Sequence, residues 1–530
     1  MKRSLPLHFI LLLLLSACGD TVSPAVLNPT QVQSIGSSTD VTPAPARSEI
    51  ATLQLDQDQT LAPTPSELET RLDLQAQALL PEYGGEIRAY PELTYYIIHV
   101  KVDLDPQEEV ATLEGLAQIR YTNSTDLPLD DLVLMLWPND RQYLATMEAG
   151  PITINGQKVE HEVELEGLAL RVELNPQLQS GQSTEVSLPF VIRTEGSIRN
   201  QKRRFGITNG MLIAPTFYPL IPRRVGGEWQ AEIAPTGGDT TSSDMAYFEV
   251  SITASEEFEV IASGGEIERQ LLRDGGQSVT FVTGPMRDFA FALGNLEKLN
   301  KVVNGVDLNV WVLPRHEESG DRMLNVASRQ MEFLHQVVGP YPYTEFDIVD
   351  SPCSFGGIEY PGLVYICSMD TGHFVDTTVH EVAHQWFYGL IGNDQLREPW
   401  LDESMATYWQ VLYYEFMIGE DRANTQLNQY RSWVNRPEDQ VAPIGLGIED
   451  YRLLGDYYTI VYFKGALFLD ALRSELGEED FFEVLKTYDQ RYRYGFVNTQ
   501  EFHEIAEEVC GCELDDLFNL WVYEGGKVFE

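Results

Sequence analysis

Two histidines and two glutamates in the stretch Asp376–Gln410, DTTVHEVAHQWFYGLIGNDQLREPWLDESMATYWQ, have the types and spacing of a catalytic metal centre. His380 and His384 are four residues apart, so on a helix both imidazoles leave one face about one turn apart and can chelate a single divalent ion. Glu381 stands between them, where its carboxylate is free to hold a water and take its proton. Glu403 follows His384 after eighteen intervening residues and supplies a third ligand. Two His and one Glu leave a fourth position open, which is the catalytic rather than the structural pattern of zinc coordination.

These groups need elements to hold them. Val379, Val382, Ala383, Trp386 and Phe387 give the first segment a buried helical stripe, with Asp376 as its expected N-cap. Trp400, Leu401, Met405, Tyr408, Trp409 and Leu412 give the segment around Glu403 a second apolar stripe, so a helix packed against the first is expected. Upstream, Leu308–Leu313 and Phe346–Val349 read as strands and Arg322–Val338 as an amphipathic helix stopped by Gly339-Pro340. The run Ser351–Ile366 contains GGIEYPG, an extended segment broken by glycines. Gly356 and Gly357 are there either to let a peptide lie alongside as an added strand, or to form a bulge or turn. Downstream, helices are expected over Asp456–Leu472, Phe481–Tyr488, Thr499–Val509 and Leu514–Trp521.

Between Ala89 and Leu299 the pattern is different. Tyr96, Ile98, Val100, Val102 and Leu104 alternate with polar residues, and further strands read at Ala117–Tyr121, Leu132–Leu136, Ala246–Thr253 and Phe289–Leu293. This is the signature of one sizeable antiparallel β-domain that shapes the cleft without contributing a metal-ligand cluster of its own.

Lys2-Arg3, the apolar run Leu7–Leu15 and Leu15-Ser16-Ala17-Cys18 have the order of an export signal ending in a lipobox-like cysteine. Residues 1–18 are then the signal, and Cys18 becomes the lipid-carrying first residue of an exported protein facing the outer side of a bacterial membrane. Residues 19–88, rich in Pro, Thr, Ser and Gln, are expected to be a disordered tether, with a short helix readable at Ser66–Leu80. Lys and Arg number 36 against 81 Asp and Glu, a net charge of −45 that argues against a nucleic-acid partner. Besides Cys18 the chain has Cys353, Cys367, Cys510 and Cys512, which allow three disulfide connectivities. A Cys353–Cys367 bond would brace the turn around GGIEYPG.

Over roughly residues 90 to 530 the chain resembles the gluzincin aminopeptidases, the family that includes aminopeptidase N and the leukotriene epoxide hydrolase. HEVAHQWF with Glu403 in WLDES is similar to that family's zinc signature, GGIEYPG to its substrate-amine motif, and Tyr462 in VYFKGAL to its catalytic tyrosine. The resemblance implies a multidomain α+β fold, with an N-terminal antiparallel β-saddle (residues 89–299) followed by a thermolysin-like α/β metallopeptidase domain (300–530). It implies one Zn2+ per chain on His380, His384 and Glu403, with Glu381 as general base and Tyr462 as oxyanion donor. Glu359 would grip the α-amine of a peptide substrate, with Gly356 and Gly357 aligning its backbone and Tyr457 beside the same pocket. Three departures stand out. Ile358 and Tyr360 occupy positions of Met and Asn in better-known members, so altered side-chain preference is expected. Around Ala214–Pro219 there is no acidic or amide residue matching those members' second amine contact. Their C-terminal helical domain also has no counterpart in the 530 residues, so a more open cleft is expected. Alternatives that use the same residues are a thermolysin-like endopeptidase, an epoxide hydrolase and a non-catalytic peptide-binding surface lipoprotein. The oligomeric state is not legible.

Overall fold

The computed structural model describes residues 65–198, 203–238, 243–353, 355–367, 369 and 373–529. Cys18, the 1–18 signal and the part of the tether before residue 65 lie outside the described residues. Among those described, no helix is long and apolar enough to cross a membrane.

The alternating residues build the expected β-domain. Thr94–Asp105 buries every second side chain and pairs antiparallel with Val110–Thr122, which pairs antiparallel with Ser183–Glu195, in a nine-stranded sheet. One departure from an all-antiparallel arrangement is that Thr94–Asp105 also pairs with Ala246–Ser255 in parallel. The two strands are far apart in sequence and joined by a long crossover, as parallel pairs require. A second, four-stranded sheet contains Met211–Pro215 and Ala290–Gly294.

The catalytic half is a mixed five-stranded sheet with helices. Its strand order is Glu297–Val303, Val306–Val312, Glu345–Asp350, Leu363–Ile366 and, at the edge, Gly357–Ile358. The expected boundary at 299/300 therefore cuts a strand: Glu297–Val303 forms a hairpin with Val306–Val312 and belongs to this half. Cys353 and Cys367 are bonded across the base of the GGIEYPG hairpin, and Cys510 is bonded to Cys512.

The short helix read at Ser66–Leu80 is found as Pro65–Gln75, followed by helical turns at Ala76–Ala78 and Gly84–Ala89, so the disordered tether expected over 19–88 is corrected at its C-terminal end. Its average composition is polar, but Leu72, Leu79, Leu80 and Ile87 are all buried. Gln75 is fully buried, donating from Nε2 to the Tyr95 hydroxyl and the Phe248 carbonyl and accepting at Oε1 from the Thr283 and Gly284 amides. The same segment touches the catalytic half, with Leu80 N donating to Pro342 O at 2.8 Å and Thr344 N to Ala78 O at 2.9 Å. A few well-placed apolar residues in a seam outweigh a tether-like average.

Arg287 makes a second seam. It leaves the β-domain fully buried, donates from Nε to the Tyr388 carbonyl at 2.9 Å and through its guanidinium to the Gly495 carbonyl, and lies 4.2 Å over the Phe496 ring. Burial pushes its pKa down to about 10. A Cβ on Gly392 would stand 2.4 Å from its Cζ, which is why a glycine is needed there.

Candidate active site

The first metal-binding helix is Phe374–Ala383, with Phe374, Thr378, Val379, Val382 and Ala383 buried. It begins three residues earlier than expected, with His373 at the N-cap. Asp376 is not its N-cap but lies in the first turn, where its carboxylate accepts from the Tyr414 hydroxyl and its carbonyl from Gln410 Nε2 at 3.0 Å. Burial of the Phe374 ring explains the earlier start. The helix also ends earlier, at His384. The next residues form a tight turn with Gly389 N bonded to His384 O at 2.8 Å, so Trp386 and Phe387 are buried but beyond the helix.

That turn has a chemical result. The Phe387 carbonyl lies 3.1 Å from His384 Nδ1, so a neutral ring keeps its proton on Nδ1 and offers the Nε2 lone pair. The second helix, Trp400–Met417, carries Glu403 in its first turn. Glu403 Oε2 is 3.1 Å from His380 Nε2 and 3.4 Å from His384 Nε2, and the two Nε2 atoms are 3.1 Å apart. Zinc bonds of about 2.0–2.2 Å in a tetrahedral array hold ligand atoms roughly 3.3–3.5 Å apart, so this set fits the ion closely.

The charges agree with the geometry. Burial alone would raise the Glu403 pKa, but hydrogen bonds from His380 and His384 hold its carboxyl well below the usual range. Burial alone would lower that of His384, but the Glu359 carboxylate, then Glu403 and Asp402, raise it well above its ordinary value. Four carboxylates, Glu359, Glu381, Asp402 and Glu403, are buried together here, a setting that favours cations. Glu403→Ala should therefore weaken zinc binding by more than the roughly 10–100-fold that loss of a supporting residue costs. Chelator competition on the purified variant measures this, and unchanged affinity would remove Glu403 from the ligand set.

The Glu381 carboxylate lies between His384 and the GGIEYPG hairpin. A Cβ on Gly357 would sit 2.5 Å from Glu381 Oε1, whereas Gly356 has room for one. The two glycines thus differ: Gly357 is required by the Glu381 carboxylate. Oxygens of Glu359 and Glu381 and a nitrogen of His384 all lie within 4.8 Å of one another. Gly357–Ile358 is a short edge strand that pairs antiparallel with Tyr365–Ile366. Gln385 fastens this hairpin to the first helix, accepting from Gly362 N at 2.8 Å and donating to Tyr360 O at 3.4 Å.

Ile358 and Tyr360 are both buried in an apolar cluster with Leu363 and Tyr365. Thr216 and Tyr218 are likewise committed, their hydroxyls donating to Asp288 at 2.6 and 2.8 Å.

Tyr462 lies in a π-helical segment, Tyr458–Lys464, inside the helix expected over Asp456–Leu472. Such wide turns are frequent at functional sites. Its hydroxyl donates to Glu403 Oε1 and its ring stacks on His380 at 5.8 Å. The glycine of VYFKGAL now has a reason: a Cβ on Gly465 would stand 1.9 Å from Ser404 Oγ, which donates to Val461 O at 2.7 Å. Tyr457 is fully buried and packs edge-on against Tyr462 at 5.7 Å, supporting that ring rather than lining the pocket. Gln385, Gln395, Asp402 and Asp288 were not legible as site residues. Only Asp402, beside Glu403 in WLDES, carried any local signal.

Residues 322–521 match the model for the peptidase family M1 domain. That match supports the gluzincin aminopeptidase family for this stretch of the chain. Aminopeptidase N of Lactococcus lactis subsp. lactis is 27% identical over 356 residues, covering 60% of this chain and 41% of that protein. Aminopeptidase 2 of Candida albicans is 25% identical over 297 residues, 52% of this chain and 32% of the relative. The chain thus spans less than half the length of these relatives. A crystal structure of an M1 zinc metallopeptidase variant from Deinococcus radiodurans, bound to a Tyr-Ser-Ala substrate, superposes with a TM-score of 0.62 at 19% identity. It covers 83% of this chain and 95% of that one, and shares the two-part fold.

Proposed function

We propose that this chain is a zinc aminopeptidase that hydrolyses the first peptide bond of peptides outside the cytoplasmic membrane, held there by lipid on Cys18. The observation that carries the reading is the clustering of Glu359, Glu381 and His384 within 4.8 Å beside an edge strand. In a peptide the first carbonyl carbon is only about 2.5 Å from the α-nitrogen. An amine held by Glu359 therefore brings the first carbonyl, and not a later one, to Glu381 and the metal ligands. The peptide backbone extends Gly357–Ile358 as an added strand.

His380, His384 and Glu403 hold the zinc, which when bound supplies Lewis acidity to polarise the scissile carbonyl and make a water more acidic. Glu381 takes the proton of the attacking water and returns it to the leaving amine. Tyr462, whose hydroxyl donates to Glu403 here, turns that donor to the oxyanion developing on the carbonyl. Convergence of all these side chains supports catalysis over peptide capture alone. That several relatives are named aminopeptidases supports the exopeptidase reading.

Glu359→Ala is the decisive variant. An ammonium–carboxylate contact in a partly desolvated pocket contributes about 1.5–3 kcal/mol, or roughly ten- to a hundredfold in kcat/KM. Free-amine substrates should lose that much and N-acetylated ones little; an equal fall in both would favour an endopeptidase. The anchor has its own check. Mass spectrometry of the mature protein should find acylated Cys18 as its first residue, and an unmodified N-terminus further along would refute the anchor.

A further inference from the structure

Gln395 lies between the two metal-ligand helices and is 5% exposed. Its Nε2 is 3.3 Å from Glu359 Oε1 and 2.9 Å from Asp402 Oδ2. Ionised carboxylates only accept, so the amide nitrogen must be the end that faces them, and both its protons are used. Oε1 is the end left over. It is buried and makes no hydrogen bond among the described residues. A buried amide oxygen without a donor is costly, and both of its amide's neighbours are acceptors.

Resting on the reading of Glu359 as the α-amine's partner, we propose that Gln395 Oε1 is a second acceptor for the substrate α-ammonium, which makes Gln395 a specificity-determining residue. An ammonium carries three N–H donors pointing in different directions, more than one carboxylate can meet from one side. The two ends of an amide are about 2.2 Å apart, so with Nε2 at 3.3 Å the Oε1 atom is at most about 5.5 Å from Glu359 Oε1. Two N–H···O bonds of about 2.9 Å at an ammonium's tetrahedral angle reach acceptors about 4.7 Å apart, which lies within that limit. The β-domain offers no competitor around Thr216 and Tyr218, because both hydroxyls are spent on Asp288. The amine subsite is therefore built within the catalytic half, by residues that flank the zinc ligands.

The test compares kcat/KM for phenylalanyl 4-nitroanilide with that for its des-amino analogue, 3-phenylpropanoyl 4-nitroanilide. It is run in the parent, Gln395→Met, Glu359→Ala and the double variant, with calorimetric binding of phenylalanine amide alongside. Gln395→Met should lower the amine preference and the amide affinity roughly tenfold, with a further fall of similar size in the Glu359→Ala background and little change for the des-amino substrate. Zinc content and thermal unfolding of Gln395→Met, measured on the same preparation, should match the parent, which guards against misfolding of the methionine variant. A preference unchanged in Gln395→Met would overturn the proposal alone. So would a fall that vanishes in the Glu359→Ala background, since Gln395 would then only position Glu359, or an equal fall for both substrates. A parent with no amine preference would overturn this proposal together with the aminopeptidase reading.

Discussion

Glu381→Gln should keep its zinc and lose turnover by roughly a hundred- to ten-thousandfold, the range for removing a general base. The side chain is buried, packed against the backbone of Gly357, and outside the His380–His384–Glu403 triad. The amide has nearly the same shape and so leaves that packing intact, but it cannot take a proton. Metal content and kcat/KM measured on one preparation separate the two functions. Near-normal turnover with zinc in place would remove Glu381 from the base role.

Tyr462→Phe has the next largest expected effect. Loss of one oxyanion donor typically costs about 10²–10³ in kcat, and the phenyl ring should preserve the stack on His380. KM should change little, because the hydroxyl acts on charge that develops only in the transition state. The same hydroxyl donates to Glu403, so zinc affinity should also drop, by up to the roughly 10–100-fold seen for outer partners of metal ligands. The assay is therefore run at saturating zinc, where a normal kcat would show that the hydroxyl serves the metal site alone.

What could be read in the sequence was what local spacing dictates. His380, Glu381 and His384 fall on one helix and Glu403 on the next because apolar periodicity survives in a single chain, and the strands from Thr94 to Ser255 follow from alternation. Contacts set by packing between distant segments were not legible. Gln395 reaches Glu359 and Asp402 only because the two helices meet, and nothing in the loop sequence marks it. The π-helical turn at Tyr462 sits beside the close approach of Ser404 to Gly465, some sixty residues apart in the chain. The helix at Ser66–Leu80 was legible, but not its burial, because composition averages over a window whereas Leu72, Leu79 and Gln75 are placed one at a time. Asp376 was misplaced for a similar reason: a favourable N-cap type gave way to a buried Phe374.

Arg287 bears on how the chain can be divided. The carbonyl of Tyr388 that it holds belongs to the turn just past His384, so one ligand's backbone is propped from the other half of the molecule. A fragment beginning at Glu297 would retain every residue assigned to chemistry and still leave the Tyr388 and Gly495 carbonyls without that guanidinium. The β-domain is in this sense part of the metal site's foundation. Proteolytic nicking between the halves, followed by their separation, would silence the enzyme without cutting near any ligand.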